Sequence, residues 1–223
     1  SLEKDLRAFG FENPFRHLSR GVDAQMFKPM DATLFNDLPK PIMLYVGRVA
    51  VEKNLEAFLS LKRPGTKVIV GVGPDLEMLR RKYPDAVFVG AKVGHDLAQH
   101  YASSDVFVFP SRTDTFGIVL IEALASGVPV AGYPVTGPID IITEDFLGAV
   151  DEDLNKAIDR ALVCGTREER AKYAAKTYSW PSVAADFLYY LIEIDADLKK
   201  RFGEPDNDPL DFLEDVELVA DGS

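Results

Sequence analysis

Five short runs of apolar residues recur along the chain between about residues 41 and 150. They lie at 42–46, 67–70, 87–89, 106–109 and 128–131, and they lack the polar alternation of a strand with one wet face. Such runs are typical of strands covered on both faces. Stretches with helical spacing separate them, at about 54–61, 75–82, 95–103 and 117–126. The alternation predicts an α/β fold, a doubly wound, Rossmann-like parallel sheet.

The pattern changes on either side of this region. Residues 151–176 predict two helices, and Ser179-Trp180-Pro181 predicts the start of a third that runs to about residue 200, because proline in a first helical turn sacrifices no hydrogen bond. These extra carboxy-terminal helices end in one with a single apolar stripe, formed by Val183, Phe187, Tyr190, Leu191, Ile194 and Leu198. Residues 1–40 contain no strand-helix unit of their own, and the stretch 19–39 predicts an extended linker that enters the first strand.

The negative charge is concentrated at the carboxyl end. The net charge is −11, but residues 202–223 contain eight acids and neither Lys nor Arg, which leaves −3 for the rest of the chain. We therefore interpret 201–223 as an acidic tail, and we expect no nucleic-acid partner. No run approaches the roughly 18 apolar residues of a transmembrane segment, and the first residues lack the order of a signal peptide. A cytoplasmic location is expected, and the single cysteine, Cys164, agrees with it.

Two unusual loops are predicted to face one crevice. In an open parallel sheet, ligands bind beyond the carboxyl ends of the strands where the strand order reverses. With the usual doubly wound order, that point lies between the first and the fourth strand. The loops that follow these strands are residues 47–54 and 110–117.

The first loop carries two cations, Arg48 and Lys53, after a glycine, Gly47, that permits the turn. A diphosphate needs such partners to offset its charge. The alternative is a basic loop that serves only to face solvent. The second loop leads through Gly117 into an apolar helix whose amino end would direct free N–H groups at an anion. Asp114 in this loop would accept hydrogen bonds from sugar hydroxyls or steady positive charge at a sugar carbon; the alternative is that it caps the helix.

Glu122 is the most informative residue. It is the only charge in a helix that is otherwise apolar on every side, and a buried carboxylate is costly unless it is hydrogen-bonded. The two hydroxyls of a ribose would satisfy it. The alternative is a pairing with a lysine or with backbone amides elsewhere in the fold. His17, His95 and His100 lack the spacing of metal ligands, so no metal site is expected.

The ordered set of motifs resembles the carboxy-terminal domain of group 1 retaining glycosyltransferases of the GT-B fold. The matching pieces are Val46-Gly47-Arg48, Glu52-Lys53-Asn54, Val72-Gly73-Pro74, Phe88-Val89-Gly90, residues 105–111, Thr115-Phe116-Gly117, Glu122-Ala123 and residues 126–130. The resemblance covers about residues 20–200. It implies a linker and a remnant of a preceding domain over 1–40, a nucleotide-sugar-binding domain over 41–200, and a missing amino-terminal domain that holds the acceptor.

The resemblance also implies roles for single residues. Arg48 and Lys53 would hold the donor diphosphate and stabilise the leaving group, and Glu122 would bind the ribose. Asp114 stands where the family more often has glutamate, and would contact the donor sugar. The N–H groups around Thr115, Phe116, Gly117 and Ile118 would meet sugar and phosphate, and Lys92 and Val93 would lie near the base.

The implied reaction transfers a hexosyl group from a nucleoside diphosphate sugar to an acceptor hydroxyl with retention, without a cofactor. UDP-hexose is the first expectation for the donor and GDP-mannose the second. The acceptor is expected to be a lipid or cell-surface glycan held by the missing domain, with peripheral contact of the full protein at the inner membrane face; this chain alone should be nearly inactive. The competing hypothesis is a stand-alone nucleotide-sugar-binding or regulatory module.

Overall fold

Six parallel strands form one sheet in the computed structural model, which describes residues 2–12, 15–31, 33–113, 117–194 and Lys200. The strands are β1 (Ile42–Val46), β2 (Thr66–Val70), β3 (Val87–Gly90), β4 (Val106–Phe109), β5 (Val130–Gly132) and β6 (Gly148–Val150). Their order across the sheet is β3-β2-β1-β4-β5-β6. The order reverses between β1 and β4, so the predicted doubly wound topology is confirmed.

Helices cover both faces of the sheet, as the unbroken apolar runs predicted. The described helices are α1 (Leu2–Ala8), α2 (Leu55–Leu59), α3 (Leu76–Lys82), α4 (Gly94–Ala102), α5 (Ile118–Ala125), α6 (Pro138–Ile141), α7 (Leu154–Ala161), α8 (Arg167–Tyr178) and α9 (Trp180–Ile194). Alternate residues of β1 point to opposite faces, since Ile42 and Leu44 belong to one buried cluster and Met43 and Tyr45 to another. The first cluster includes α4, α5 and α8, and the second includes α2, α3 and α7.

The segment before β1 differs from the extended linker predicted over residues 19–39. It contains turns around residues 24–28 and 34–38, and it buries Val22, Phe27 and Phe35 in the core of the α4–α5 face. Val22 forms a bridge with Ser179, and its N–H donates to Tyr178 O at 2.7 Å. The apolar side chains of this segment explain the difference, because they contact the core only if the chain folds back upon it.

The end of the described chain agrees with the predicted third helix. Ser179 accepts a hydrogen bond from the N–H of Ser182, as a residue that caps a helix does. The most buried side of α9 is formed by Ser182, Val183, Ala185 and Ile192, whereas Phe187 of the predicted stripe is 48% exposed. Of the other stripe positions, Leu198 lies outside the described residues. Nowhere in the described ranges does a helix combine the length and hydropathy needed to cross a bilayer.

The sequence predicted the start of β5 too early and missed β6 and α6. β5 begins two residues later than the apolar run suggests, because Pro129 cannot donate to a strand ladder. β6 has three residues and α6 has four, so neither produces a period that a sequence pattern can reveal. The predicted acidic tail, 201–223, lies outside the described residues.

Arg170 of α8 ties three loops together inside the fold. It is 5% exposed, and its guanidinium donates to the carbonyl oxygens of Gly127 at 2.9 Å, Phe146 at 3.1 Å and Cys164 at 2.7 Å. Burial lowers the pKa of Arg170 from its ordinary value. Each carbonyl would lose a buried donor without it, and an unsatisfied buried polar group is costly.

We therefore expect the Arg170→Met substitution to reduce the free energy of unfolding by about 3 kcal/mol or more, measured by urea denaturation. Lys172→Met, on the exposed side of the same helix, is the matched control and should change stability by less than about 0.5 kcal/mol. Equal stability of the two variants would contradict the structural role of Arg170.

Candidate functional site

The switch point of the sheet brings together the two loops that the sequence singled out. β1 pairs with β4 through Met43 opposite Val106 and Leu44 opposite Phe107. Because both strands are parallel, the loops that follow them leave the sheet at the same edge. The predicted crevice therefore exists between these loops.

Hydrogen bonds join the two loops directly. The side-chain amide of Asn54 donates to Pro110 O at 3.0 Å. The hydroxyls of Ser111 and Thr113 both lie 3.5 Å from Glu52 O, at the limit of a hydrogen bond. Asn54 has a left-handed backbone (φ 53°), which is the conformation that asparagine tolerates better than most residues. The local turn of the first loop thus sets its distance from the second.

A cavity of about 370 Å³ lies at this edge. It is lined by Tyr45, Val46, Gly47, Arg48, Glu52, Lys53, Gly117, Ile118 and Val119. The structure therefore places five of the predicted site residues around one space, namely Gly47, Arg48, Lys53, Gly117 and Ile118. Two cations and the amino end of a helix share it with one acid.

Close packing of glycines shapes the wall beneath the first loop. A Cβ atom on Gly71, after β2, would lie 1.9 Å from Gly47 O, so only glycine allows this approach. On the other side, the hydroxyl of the buried Tyr45 donates to Arg48 O at 2.9 Å. The backbone at Arg48 is thereby held from below, while its side chain remains at the surface.

The cations of the cavity are arranged on one loop. Arg48 lies 3.5 Å from Glu52 in an ion pair whose partners are both substantially exposed, so the pair itself contributes little to stability. Lys53 follows at the end of a single 3-10 turn, Val51–Lys53. A bound anion would therefore meet two cationic side chains carried on one short loop.

The amino end of α5 forms the opposite wall. Gly117 precedes the helix in the left-handed conformation (φ 54°), and Ile118 is 40% exposed. The first N–H groups of α5 have no partner within the helix, and the helix dipole favours a negative charge at this end. The geometry matches the anion-binding end that the sequence predicted for this helix.

Glu122 lies one helical turn beyond Ile118 and Val119 on the same side of α5. Its Oε2 accepts a hydrogen bond from the hydroxyl of Tyr101 at 2.9 Å. Burial raises the pKa of Glu122 above its ordinary value, and this hydrogen bond lowers it in part. The partner inside the protein is thus a tyrosine, neither the lysine nor the backbone amides weighed as alternatives to a ribose.

The remaining predicted site residues lie either outside the cavity wall or outside the described residues. Lys92 and Val93 follow β3 at the same edge of the sheet but do not line the cavity; Lys92 pairs with Asp96 at 3.0 Å, and Val93 is 80% exposed. Asp114, Thr115 and Phe116 lie outside the described residues. Across the described chain, no group of three or more His, Cys, Asp or Glu side chains is arranged to hold a metal ion.

Sequence reasoning missed Arg112, which anchors the second loop. Both terminal nitrogens of its guanidinium donate to Glu152 Oε2 at 3.1 Å, and the group lies 3.7 Å from the ring centroid of Tyr133. These contacts turn Arg112 toward the β5–β6 side. The guanidinium is thus engaged by a ring and a carboxylate outside the cavity. Its partner lies 40 residues away along the chain, so no local pattern reveals the contact.

A larger cavity, about 470 Å³, opens at the opposite edge of the sheet beside Lys40, Asp105 and Cys164. Arg167 and Arg170 also line it, but both donate to backbone carbonyls. Burial raises the pKa of the Cys164 thiol, which disfavours the reactive thiolate form. Since ligands of open parallel sheets bind at the carboxyl edge, the smaller cavity is the candidate site.

Comparison with protein families matches residues 28–180 to the model described as glycosyl transferases group 1. Sulfoquinovosyl transferase SQD2 of Arabidopsis thaliana is 42% identical over 163 residues, which are 66% of this chain and 32% of that protein. A GDP-mannose-dependent alpha-mannosyltransferase of Corynebacterium glutamicum is 36% identical over 207 residues, covering 85% of this chain and 50% of that protein. The chain thus spans half or less of the length of these two curated relatives.

Solved structures share the fold. Sucrose-phosphate synthase from Thermosynechococcus elongatus superimposes with a TM-score of 0.69 at 27% identity, over 86% of this chain and 56% of that one. Anabaena HepE in complex with UDP-glucose gives a TM-score of 0.66 at 15% identity, over 85% and 60% of the two chains. The second likeness concerns the fold alone.

The half-buried Glu122 carboxylate is expected to make the free energy of unfolding depend on pH. A carboxyl whose pKa is raised on folding makes the folded state lose stability as the pH rises from the ordinary value of 4.5 through the raised one. Glu122→Gln keeps an acceptor for Tyr101 without the charge. Its free energy of unfolding should therefore exceed that of the wild type at pH 7.5, and the difference should shrink toward pH 4.

The measurement is urea denaturation across this pH range, with the exposed Glu77→Gln as the control that should follow the wild type. A Glu122→Gln variant that is less stable than the wild type at pH 7.5 would show that the charged form is the better accommodated one.

Proposed function

Because this chain belongs to the group 1 glycosyltransferases, we propose that it is the donor-binding domain of a retaining hexosyltransferase. The reaction moves a hexosyl group from a nucleoside diphosphate sugar to an acceptor hydroxyl. The observation that supports this proposal most directly is the cavity between the β1 and β4 loops, where Arg48, Lys53 and the amino end of α5 converge. The relatives named for an activity are transferases, which favours an enzyme over a stand-alone binding module.

The leaving group of this reaction is a nucleoside diphosphate, which gains negative charge as the glycosidic bond breaks. Arg48 and Lys53 would neutralise that charge from one side, and the free N–H groups of α5 from the other. Cations that meet charge as it develops lower the barrier more than contacts made equally with the bound donor. We therefore assign the catalytic work of this domain to Arg48 and Lys53, and, from the sequence alone, to Asp114.

The other residues bind and orient the donor. Glu122 would accept hydrogen bonds from the ribose, and Gly47 would admit the diphosphate close to the backbone. Lys92 and Val93, at the same edge of the sheet but beyond the cavity wall, would lie near the base. For Asp114, Thr115 and Phe116 the proposal rests on the sequence alone: Asp114 contacts the donor sugar, and the backbone of the other two meets sugar and phosphate.

Group 1 glycosyltransferases use nucleotide sugars, and the donor of this chain is either UDP-hexose or GDP-mannose. The sequence favoured UDP-hexose. Three relatives of 36–38% identity are named GDP-mannose-dependent, which supports GDP-mannose at least as strongly. Titration with both diphosphates distinguishes the two.

The acceptor side belongs to another part of the protein. We propose that residues 1–40 link this domain, 41–200, to a second domain that binds a lipid or cell-surface glycan at the inner membrane face, and that 201–223 is an acidic tail. Val22, Phe27 and Phe35 are buried in the core of this domain, so the later part of the linker packs against it.

We expect UDP or GDP to bind this chain in calorimetric titrations, and Arg48→Ala and Lys53→Ala each to weaken binding roughly 10- to 100-fold, because each removes a charged hydrogen-bond donor from the diphosphate. Glu122→Ala should also weaken it.

Arg81→Ala is the matched control, since it removes an exposed cation from α3, outside the cavity. Its affinity should equal that of the wild type. If neither UDP nor GDP binds, the assignment of the site is overturned. It is also overturned if Arg81→Ala and Arg48→Ala lose the same affinity.

A further inference from the structure

Tyr101 of α4 contacts the Glu122 carboxylate of α5. Its side chain is fully buried, and its hydroxyl lies 2.9 Å from Glu122 Oε2 and 3.3 Å from Val119 O. A tyrosine hydroxyl has one proton to donate, and the shorter contact is the better hydrogen bond. Burial and the nearby carboxylate raise the pKa of Tyr101 well above its ordinary value, so the hydroxyl stays protonated and acts as the donor.

The ring of Tyr101 is held in place by other aromatic side chains. The Phe27 ring meets it edge-on, with centroids 5.9 Å apart, and the Phe107 ring is tilted against it at 5.8 Å. Aromatic pairs prefer such offset and edge-on arrangements, which restrict the position of the ring. The Tyr101 hydroxyl is therefore a donor at a defined position, and it contacts one oxygen of the Glu122 carboxylate.

The carboxylate has two oxygens, and Tyr101 occupies one. Within the described residues, Oε1 of Glu122 has no hydrogen-bond partner. Val119, whose carbonyl Tyr101 also contacts, lines the cavity, and Glu122 follows it by one helical turn without lining the cavity itself. A ribose diol, which offers two donors, would find an oxygen whose direction is set by the bond that Tyr101 makes to the other.

We propose that Tyr101 is a positioning residue, which holds the Glu122 carboxylate in the orientation that accepts the ribose hydroxyls of the donor. The inference rests on the proposed function and deepens it, because it names the group that prepares the ribose site before the nucleotide arrives. Tyr101 touches no part of the donor itself and acts only through Glu122.

The proposal makes the charge of Glu122 depend on Tyr101. Burial raises the pKa of this carboxyl and the Tyr101 hydrogen bond lowers it, so loss of the hydroxyl raises it further. Other charged groups on the elements packed against α5 are engaged elsewhere or exposed. His100 of α4 contacts Asp96, Arg167 and Arg170 of α8 donate to backbone carbonyls, and Asp140 of α6 is exposed.

The test compares Tyr101→Phe with the wild type in calorimetric titrations of UDP, GDP and their 2′-deoxy counterparts between pH 5.5 and pH 8.5. The wild type should prefer the ribonucleotide. In Tyr101→Phe, the affinity for the ribonucleotide at pH 7 should fall roughly 10-fold, the preference over the deoxynucleotide should shrink, and the loss of binding at acid pH should begin at a higher pH.

Two further variants separate positioning from a general structural role. In a Glu122→Gln background, Tyr101→Phe should cause no additional loss of ribonucleotide affinity, because the two residues act as one unit. Tyr178→Phe is the matched control: Tyr178 is buried in the same cluster and its hydroxyl hydrogen-bonds Tyr173, so its removal should leave the pH profile of binding unchanged.

The titrations distinguish a failure of the proposed function from a failure of the positioning role of Tyr101. If the wild type binds neither UDP nor GDP, the proposed function falls and this inference falls with it. If the wild type binds, three results for Tyr101→Phe would overturn the positioning role while the site stands. The first is an unchanged affinity, and the second is an equal loss of affinity for the ribonucleotide and the deoxynucleotide at every pH. The third is a loss of affinity that adds to that of Glu122→Gln.

Discussion

The pairing of β1 with β4 at the centre of the sheet is the contact on which the rest of this molecule depends. It makes neighbours of two loops that are more than fifty residues apart in sequence, and it directs both toward one edge. The burial of both faces requires helices on each side, and one of these, α5, must begin where the β4 loop ends. The cavity, its two cations and its helix end all follow from that arrangement.

A carboxylate in an apolar helix lowers the stability of the fold, so packing alone does not explain its presence. Glu122 sits among residues that are almost all fully buried, and its environment favours the neutral form. A leucine or glutamine there would suit the fold better, since proteins generally lose stability by keeping a charge at such a position. The same environment, however, makes a hydrogen bond to that charge stronger than it would be in water. The residue that weakens the fold is thus the one best suited to recognise a polar ligand.

The sequence predicted the features that arise from a continuous pattern. The apolar runs predicted five of the six strands, β1 to β5, and the lone acid of the α5 region indicated Glu122. It did not predict β6 or α6, which are too short to show a period, nor the turns of the segment that contains Phe27 and Phe35. It also missed Tyr101, Arg112 and Arg170. Each of these acts through a partner at least 21 residues away along the chain or through backbone carbonyls, and no local pattern records such a contact.

The bridge between Val22 and Ser179 has a mechanical consequence. It places Val22, which packs into the α/β core, beside the start of α9, with the Trp180 ring packed over Gly21. Two covalent connections that emerge side by side restrain translation but leave rotation about their common axis comparatively easy. A neighbouring body connected both through the segment before Val22 and through α9 would therefore rotate toward or away from the core more easily than it would slide across it.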